Sequence, residues 1–397
     1  MGRIRGRPRG STEFSGEEEI VKIRAAVLQQ FGTPLTIEEL ELTSPGPGEV
    51  LVRIGAAGLC HSDLSFIDGT QTHIPLPAVL GHEAAGEVVE LGPGVKDLQV
   101  GDHVVTIFWP NCGQCTPCRI GRPSLCEAGT QTLLAGLLST GAHRLVWKDH
   151  PIHHYLGCSV FADYAVIGRA SLVRIDPSVR LEHAALFGCA VLTGVGAVVN
   201  AGKVQPGETV AIVGAGGVGL CAILGAQAAG AGRIVAVDTN PQKLASARLL
   251  GATDVFNAAE PGCVEAIRAL TGMGVDVAFE FAGSAKAMET AFQLTKPGGT
   301  TICAGLPSAA HSFALPQTTV VCEERTVKGC FFGSCVPVRD LPRFIHLFQS
   351  GRLPVDKIIS GTLPLEQIGE GFHRLKEGRA LRQIVIPSQE GAAAGGM

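Results

Sequence analysis

Four cysteines stand at Cys112-x2-Cys115-x2-Cys118-x7-Cys126, in a stretch that also holds Gly113, Pro117, Gly121 and Pro123. Four thiolates complete the tetrahedral shell of Zn²⁺ and leave no open position, which describes a structural metal site. An iron–sulfur centre and plain buried thiols fit the same letters, so spacing alone does not choose among them. A second set of donors is scattered along the chain. Cys60 lies in Gly58-Leu59-Cys60-His61-Ser62-Asp63, His82 in Gly81-His82-Glu83-Ala84-Ala85-Gly86, and Cys189 in Phe187-Gly188-Cys189-Ala190. Brought together, two thiolates and one imidazole leave one tetrahedral position for water or an alcohol. Zinc in such a site lowers the pKa of a bound hydroxyl and polarises a carbonyl. Composition does not select these residues, since each Cys reads equally well as a small core residue and His82 as a satisfied loop histidine.

A third constellation binds phosphate rather than metal. Gly214-Ala215-Gly216-Gly217-Val218-Gly219 follows a strand-like run and opens a helical one. In a G-x-G-x-x-G of this context the first glycine permits the turn and the second lets backbone approach a pyrophosphate. The third lets helix and strand pack closely, and the helix N-terminus faces the phosphates. A bare tight turn would explain the glycines alone, but Asp238 ends the next strand-like run, nineteen residues after Gly219. A carboxylate there binds ribose hydroxyls. It also repels a 2′-phosphate; Thr239 follows it and no arginine is adjacent, so NAD is favoured over NADP. Lys243 either reaches the adenosine ribose or is an ordinary exposed helix lysine.

The elements that must carry these groups change in character along the chain. From residue 23 to about 101 the pattern is β, with the runs 49–54 and 86–91 beside Pro45-Gly46-Pro47-Gly48 and Gly92-Pro93-Gly94. From residue 209 strands and helices alternate: strands at 209–213, 233–237, 275–280 and 299–303, helices at 242–250 and 285–294. That alternation predicts an α/β fold with a doubly wound parallel sheet. It stops near Gly333, after which the chain is expected to return to its first domain. The expected layout is a disordered leader at 1–20, a first domain at 21–190, a dinucleotide domain at 191–333, the return at 334–387 and a flexible tail at 388–397.

Composition sets outer limits. With 46% hydrophobic and 17% charged residues in 397, most of the chain can bury enough apolar surface to fold, and the length suits two domains. A net charge of −4 argues against a nucleic-acid surface. Arg3, Arg5, Arg7 and Arg9 resemble a minor-groove hook, but a disordered leader or an expression remnant at 10–14 explains them better. The stretches 184–202 and 209–232 carry no charge and are long enough to span a bilayer. The second contains seven glycines, so strand, turn and buried helix explain it instead. Thirteen cysteines behind a polar, charged start point to metal ligands in a cytoplasmic protein.

At these residues the chain resembles the zinc-dependent alcohol dehydrogenases of the medium-chain dehydrogenase/reductase superfamily, over roughly residues 23–387. Pro151-Ile152-His153-His154-Tyr155-Leu156-Gly157 resembles its longer, liver-type branch, which includes glutathione-dependent formaldehyde dehydrogenases. The resemblance implies a GroES-like, mainly-β catalytic domain interrupted by a Rossmann domain, two zinc ions (one catalytic, one structural) and NAD. It implies that Cys60, His82 and Cys189 hold the catalytic zinc, with Glu83 able to approach it and Asp63 orienting His82. Ser62 accepts the alcohol proton. Thr193, Asp238, Lys243 and Arg382 contact the cofactor, Arg382 and His61 at its pyrophosphate and Phe332 towards its end in the pocket. Phe108, Trp109, Tyr155 and Leu156 fall near the substrate channel. Ser65 stands where the liver-type proton relay ends in histidine, so the outgoing proton needs another route.

The resemblance also implies a homodimer or homotetramer acting on a small alcohol or aldehyde, with no nucleic-acid or membrane partner. Trp109, bulky where relatives often have a small residue, suggests a narrow pocket for primary, aromatic or allylic alcohols. The runner-up is a thiol-dependent formaldehyde dehydrogenase oxidising an S-hydroxymethyl adduct. A nucleotide-binding protein without catalysis is the remote alternative.

Overall fold

The computed structural model describes residues 20–308 and 311–387; the arginines at 3–9 and the tail at 388–397 lie outside the described residues. Strand Ile20–Leu28 takes in Ile20, one residue that the sequence reading places in the leader. It pairs antiparallel with Thr36–Thr43 and, at its other edge, with Ala78–Val79. A second sheet is built on the strand Glu49–Gly58, whose Val50, Val52, Ile54 and Ala56 are all buried. That strand is flanked by Ala84–Leu91, Tyr164–Gly168 and Arg382–Ile386, all antiparallel to it. The last pairing sets Ile384 opposite Gly58 and Val385 opposite Ala57, so the strand Arg382–Ile386 lies beside the residues that lead into Cys60.

Between these parts lies a six-stranded parallel sheet in the order Asp254–Asn257, Arg233–Asp238, Thr209–Val213, Val275–Glu280, Thr295–Cys303 and Thr326–Gly329. Its four inner strands are those the sequence pattern predicts. The two edge strands are not, and the reason is physical. An edge strand is only partly covered, so it needs no continuous apolar run. All four residues of Asp254–Asn257 are half-buried, and Thr326–Gly329 has no fully buried residue.

The helix Gly217–Ala229 packs against the helix Ala190–Gly196, which continues as a π-helical turn through Gly202. That continuous helix crosses the 190/191 division expected from sequence, and one apolar core runs through both domains. Among the described residues no single helix is long and apolar enough to cross a membrane. The pair Leu181–Gly188 and Ala190–Gly202 would pass on length and composition, but it bends by 54° between its halves. Cys189 sits at that bend, buried in protein.

Candidate active site

Three backbone arrangements bring the scattered donors together. Cys60 immediately precedes helix His61–Ile67 just beyond strand Glu49–Gly58, and its approach is fixed by Gly58 N–H donating to Glu83 O (2.7 Å) and Leu59 N–H to Gln383 O (3.0 Å). His82 and Glu83 precede strand Ala84–Leu91, where the Thr106 hydroxyl donates to His82 O (3.1 Å) and accepts from Ala84 N–H (2.9 Å). Cys189 comes in at the helix bend. The ligand atoms of Cys60, His82, Glu83 and Cys189 all lie within 4.8 Å of one another, and all four residues are buried.

The donor chemistry of this group fits zinc. His82 Nδ1 faces Asp63 Oδ1 at 3.2 Å, an oxygen that also accepts from Gly81 N–H, which leaves Nε2 as the ring's free atom. That Nε2 is buried with no hydrogen-bond partner, as is Glu83 Oε1, while Glu83 Oε2 faces the Arg382 guanidinium at 3.2 Å. Buried polar atoms without partners are costly, and a cation among them removes the deficit. The Cys189 thiol donating to Cys60 sulfur, with Arg382 and His82 nearby, pulls the Cys60 pKa well below the usual thiol value. Burial pushes Glu83 up to about 7 against the opposing pull of Arg382.

The four-cysteine loop also closes on itself. Cys112, Cys115, Cys118 and Cys126 place their sulfurs within 4.8 Å of one another. Backbone N–H groups of Gln114 and Cys115 donate to Cys112 sulfur, at 3.4 and 3.3 Å, and draw its pKa down to about 6. Cys126 sulfur accepts from Cys112 N–H (3.3 Å) and from Gly129 N–H (3.4 Å), so it also caps the helix Glu127–Leu134. Four sulfurs this close, two of them accepting from backbone amides, suit a closed zinc site.

The glycine turn has the shape of a phosphate cradle. Gly214 has φ +97°, and a Cβ there would lie 2.7 Å from Ala282 N; a Cβ on Gly219 would collide with Gly214 O. Gly216 faces open space, while Gly217 and Val218 are half-buried at the start of the helix. Asp238 staples the turn, its two oxygens accepting from Ala215 N–H (2.8 Å) and Asn240 N–H (2.9 Å). Asn240 in turn caps the helix Pro241–Leu249 that carries Lys243. Arg382 packs directly on Gly217 and donates to Leu59 O at 3.0 Å. His61 keeps solvent contact, yet desolvation in its surroundings lowers its pKa, with Arg382 and Lys243 pushing the same way. Thr193, half-buried, lies one helical turn beyond Cys189 and donates its N–H to Cys189 O (2.9 Å).

Rings wall the space beside His82. Phe108 meets His82 edge-on with centroids 5.1 Å apart, and Phe332 meets Phe108 at 4.5 Å. Trp109 meets Phe331 edge-to-face at 4.8 Å. Tyr155 lies 5.8 Å from the His82 ring and is fully buried; its hydroxyl donates to Ser62 O at 3.1 Å. Leu156, buried beside it, has φ +50°. Ser62 Oγ lies 3.7 Å from Cys60 sulfur. Ser65, half-buried on the same helix, has its carbonyl bonded to Gln71 N–H.

Residues 46–177 match the family profile of the alcohol dehydrogenase GroES-like domain, and residues 217–350 that of zinc-binding dehydrogenases. The chain is 37% identical over 368 residues to an S-(hydroxymethyl)glutathione dehydrogenase of Synechocystis sp., covering 92% of this chain and 100% of the relative. This chain belongs to the zinc-dependent medium-chain alcohol dehydrogenases. Two solved structures agree with that placement. An alcohol dehydrogenase zinc-binding domain protein from Burkholderia ambifaria superposes with a TM-score of 0.89 at 35% identity, covering 94% of this chain and 100% of that one. A benzyl alcohol dehydrogenase from Acinetobacter calcoaceticus does so with 0.88 at 33% identity, covering 93% and 100%.

As a zinc-dependent alcohol dehydrogenase the protein is an NAD-dependent oxidoreductase acting on CH–OH groups. The structure adds to the site one residue that sequence reasoning missed, Thr106, and a further contact of Tyr155. Thr106 locks the backbone on both sides of Glu83 through one hydroxyl, and Tyr155 acts on Ser62 through its hydroxyl as well as bordering the ring wall. Neither contact had a signal in the sequence, because a single buried hydroxyl has no spacing pattern. Arg382 does more in this alcohol dehydrogenase than face the glycine turn, since its guanidinium also meets Glu83.

Proposed function

We propose that this enzyme oxidises flat primary alcohols, aryl or allylic, to aldehydes, with NAD as acceptor. The observation that carries the reading is the run of rings from His82 through Phe108 to Phe332, with Trp109 against Phe331. Such walls favour a planar apolar substrate by edge and face contacts. The likeness to a benzyl alcohol dehydrogenase supports the same substrate class.

Bound zinc would supply Lewis acidity to the substrate oxygen, and NAD the hydride acceptor. The chain's own residues do the rest. Cys60, His82 and Cys189 would hold the metal, and Asp63 fixes the His82 tautomer so that Nε2 is presented as a lone pair. Ser62 Oγ is placed to take the substrate hydroxyl proton, on a backbone held by Tyr155. Asp238 would receive the adenosine ribose, and Arg382 and His61 the pyrophosphate. Phe108 and Phe332 exclude water from the reacting carbon.

A second reading is favoured by the curated relatives at 36–37% identity, which are S-(hydroxymethyl)glutathione dehydrogenases. Their substrate carries two carboxylates beside one ammonium and calls for basic groups at the pocket mouth. The helix Glu127–Leu134, which packs against the Tyr155–Gly157 segment, has the sequence EAGTQTLL and carries none. NADH formation across a panel of free alcohols, with formaldehyde plus glutathione in parallel, decides between the two. Turnover of benzyl and cinnamyl alcohols without thiol supports the first reading. Activity confined to the thiol arm replaces it with the second.

A further inference from the structure

The ring wall stands on an unusual piece of backbone. Phe332, Gly333 and Ser334 all have positive φ, +52°, +63° and +50°. Two of the three are not glycine, and non-glycine residues keep that conformation only where surroundings impose it. Gly333 lies so close to the helix Ala190–Gly196 that a Cβ on it would collide with Leu192 O, while one on Gly196 would lie 2.7 Å from Gly333 O. Tight seating explains the glycine. It does not explain what holds the turn down.

Asn200 does. It lies in the π-helical turn Ala197–Gly202, a kind of turn that is rare and recurs at functional sites. Its side-chain nitrogen faces three acceptors: Gly333 O at 3.4 Å, Cys335 sulfur at 3.4 Å and Asp340 Oδ2 at 3.3 Å. The Cys335 thiol in turn donates to Leu192 O at 3.2 Å. Behind Asn200, the carboxylate of Asp340 is fully buried and fixed by Val336 N–H (2.9 Å) and by Arg339 Nε and Nη2 (2.7 and 2.8 Å). The helix that starts at Cys189 is thus tied at Asn200 to the turn carrying Phe332, which packs on Phe108, which packs on His82.

We propose that Asn200, braced by Asp340, is a positioning residue that sets the Phe331 and Phe332 wall of the substrate pocket and so its preference for flat alcohols. The selectivity part rests on the reading of these rings as substrate wall; the positioning part does not.

The experiment uses the full-length enzyme carrying Trp147→Phe, so that Trp109, which touches Phe331, is the only tryptophan. Asn200→Ala and Asn200→Asp are compared in that background. The aspartate offers only acceptors to three existing acceptors, so it is expected to disturb the wall more than alanine. Both should red-shift Trp109 emission and raise its quenching by acrylamide. They should also lower the benzyl-to-isobutyl alcohol ratio of kcat/KM by about tenfold, with KM for NAD within about twofold of the parent. Emission and quenching equal to the parent in Asn200→Ala would overturn the positioning role. So would a uniform fall in all alcohols that tracks lost folded protein. A moved emission with no alcohol oxidised by the parent would retain the positioning role and reject the substrate reading separately. If Asn200→Asp fails to fold, Asn200→Ala decides alone.

Discussion

Arg382 Nη1 lies 3.2 Å from Glu83 Oε2, with neither side chain more than 4% exposed. The same guanidinium rests on Gly217 of the glycine turn, so one cation joins the metal-binding group to the dinucleotide cradle. A charge pair this deep is weak evidence for stability as a pair, but removing one partner leaves the other uncompensated. Arg382→Ala is therefore expected to cost about 3–5 kcal/mol of stability and to raise the NAD dissociation constant at least about tenfold. Adding Glu83→Gln should recover much of the stability and none of the NAD affinity. Urea unfolding and calorimetric NAD titration of the single and double variants separate the two effects.

Asp63 reaches the metal group only through His82 Nδ1. Asp63→Asn should lower zinc affinity and alcohol turnover together by about 10–100-fold, the usual size of such an outer-partner effect. Cys60→Ser, which removes a proposed ligand, should abolish turnover and one zinc while NAD binding persists. Metal analysis beside kinetics checks both, and full activity in Cys60→Ser would remove the assignment.

The parts of this site that sequence made legible are those written locally. The four cysteines fall within fifteen residues, 112–126, and the glycine turn and Asp238 belong to one strand–turn–helix–strand unit. Cys60, His82 and Cys189 are legible only through the family resemblance, because strand pairing and a helix bend, neither visible as spacing, unite them. Thr106 and Asn200 were illegible for a different reason. Each acts through one hydroxyl or amide whose partners are distant in sequence, 22 and 24 residues away for Thr106 and 133 for Asn200 with Gly333. The edge strands escaped because half-covered backbone does not require an apolar run.

The cysteine lobe makes a separable prediction. Two of its sulfurs, Cys112 and Cys126, are held by backbone amides of the lobe itself, remote in sequence from the donors around His82. Cys118→Ser should remove one zinc per chain and lower the thermal midpoint by several degrees, as loss of about 1–3 kcal/mol does in a chain of this kind. NAD affinity at low temperature should stay within about twofold of the parent. Metal content and calorimetry on the same sample read this out.

Trp109 offers a direct probe of pocket shape. Its ring is half-buried against Phe331, and truncation opens space where a flat substrate would lie. Trp109→Ala should raise kcat/KM for branched alcohols relative to benzyl alcohol by about tenfold, the scale of one or two methylenes in an apolar pocket. An unchanged ratio across the alcohol panel would place Trp109 in the packing of the lobe alone.

Asp340 links acidity to the same part of the fold. Burial alone would raise its pKa, but the Arg339 guanidinium and Val336 N–H outweigh that, and the carboxyl titrates below its ordinary value. The unfolded chain therefore takes up the proton first, near about pH 3.9. The stabilisation is fully present above that pH and is lost as pH falls through the lower folded pKa. Asp340→Asn cannot take part in this titration. The gap in thermal midpoint between parent and Asp340→Asn should be constant from about pH 5 to 7 and shrink steadily below about pH 4. Midpoints measured in matched buffers check the sign, and a gap that widens on acidification would mean that Asp340 is held protonated in the fold.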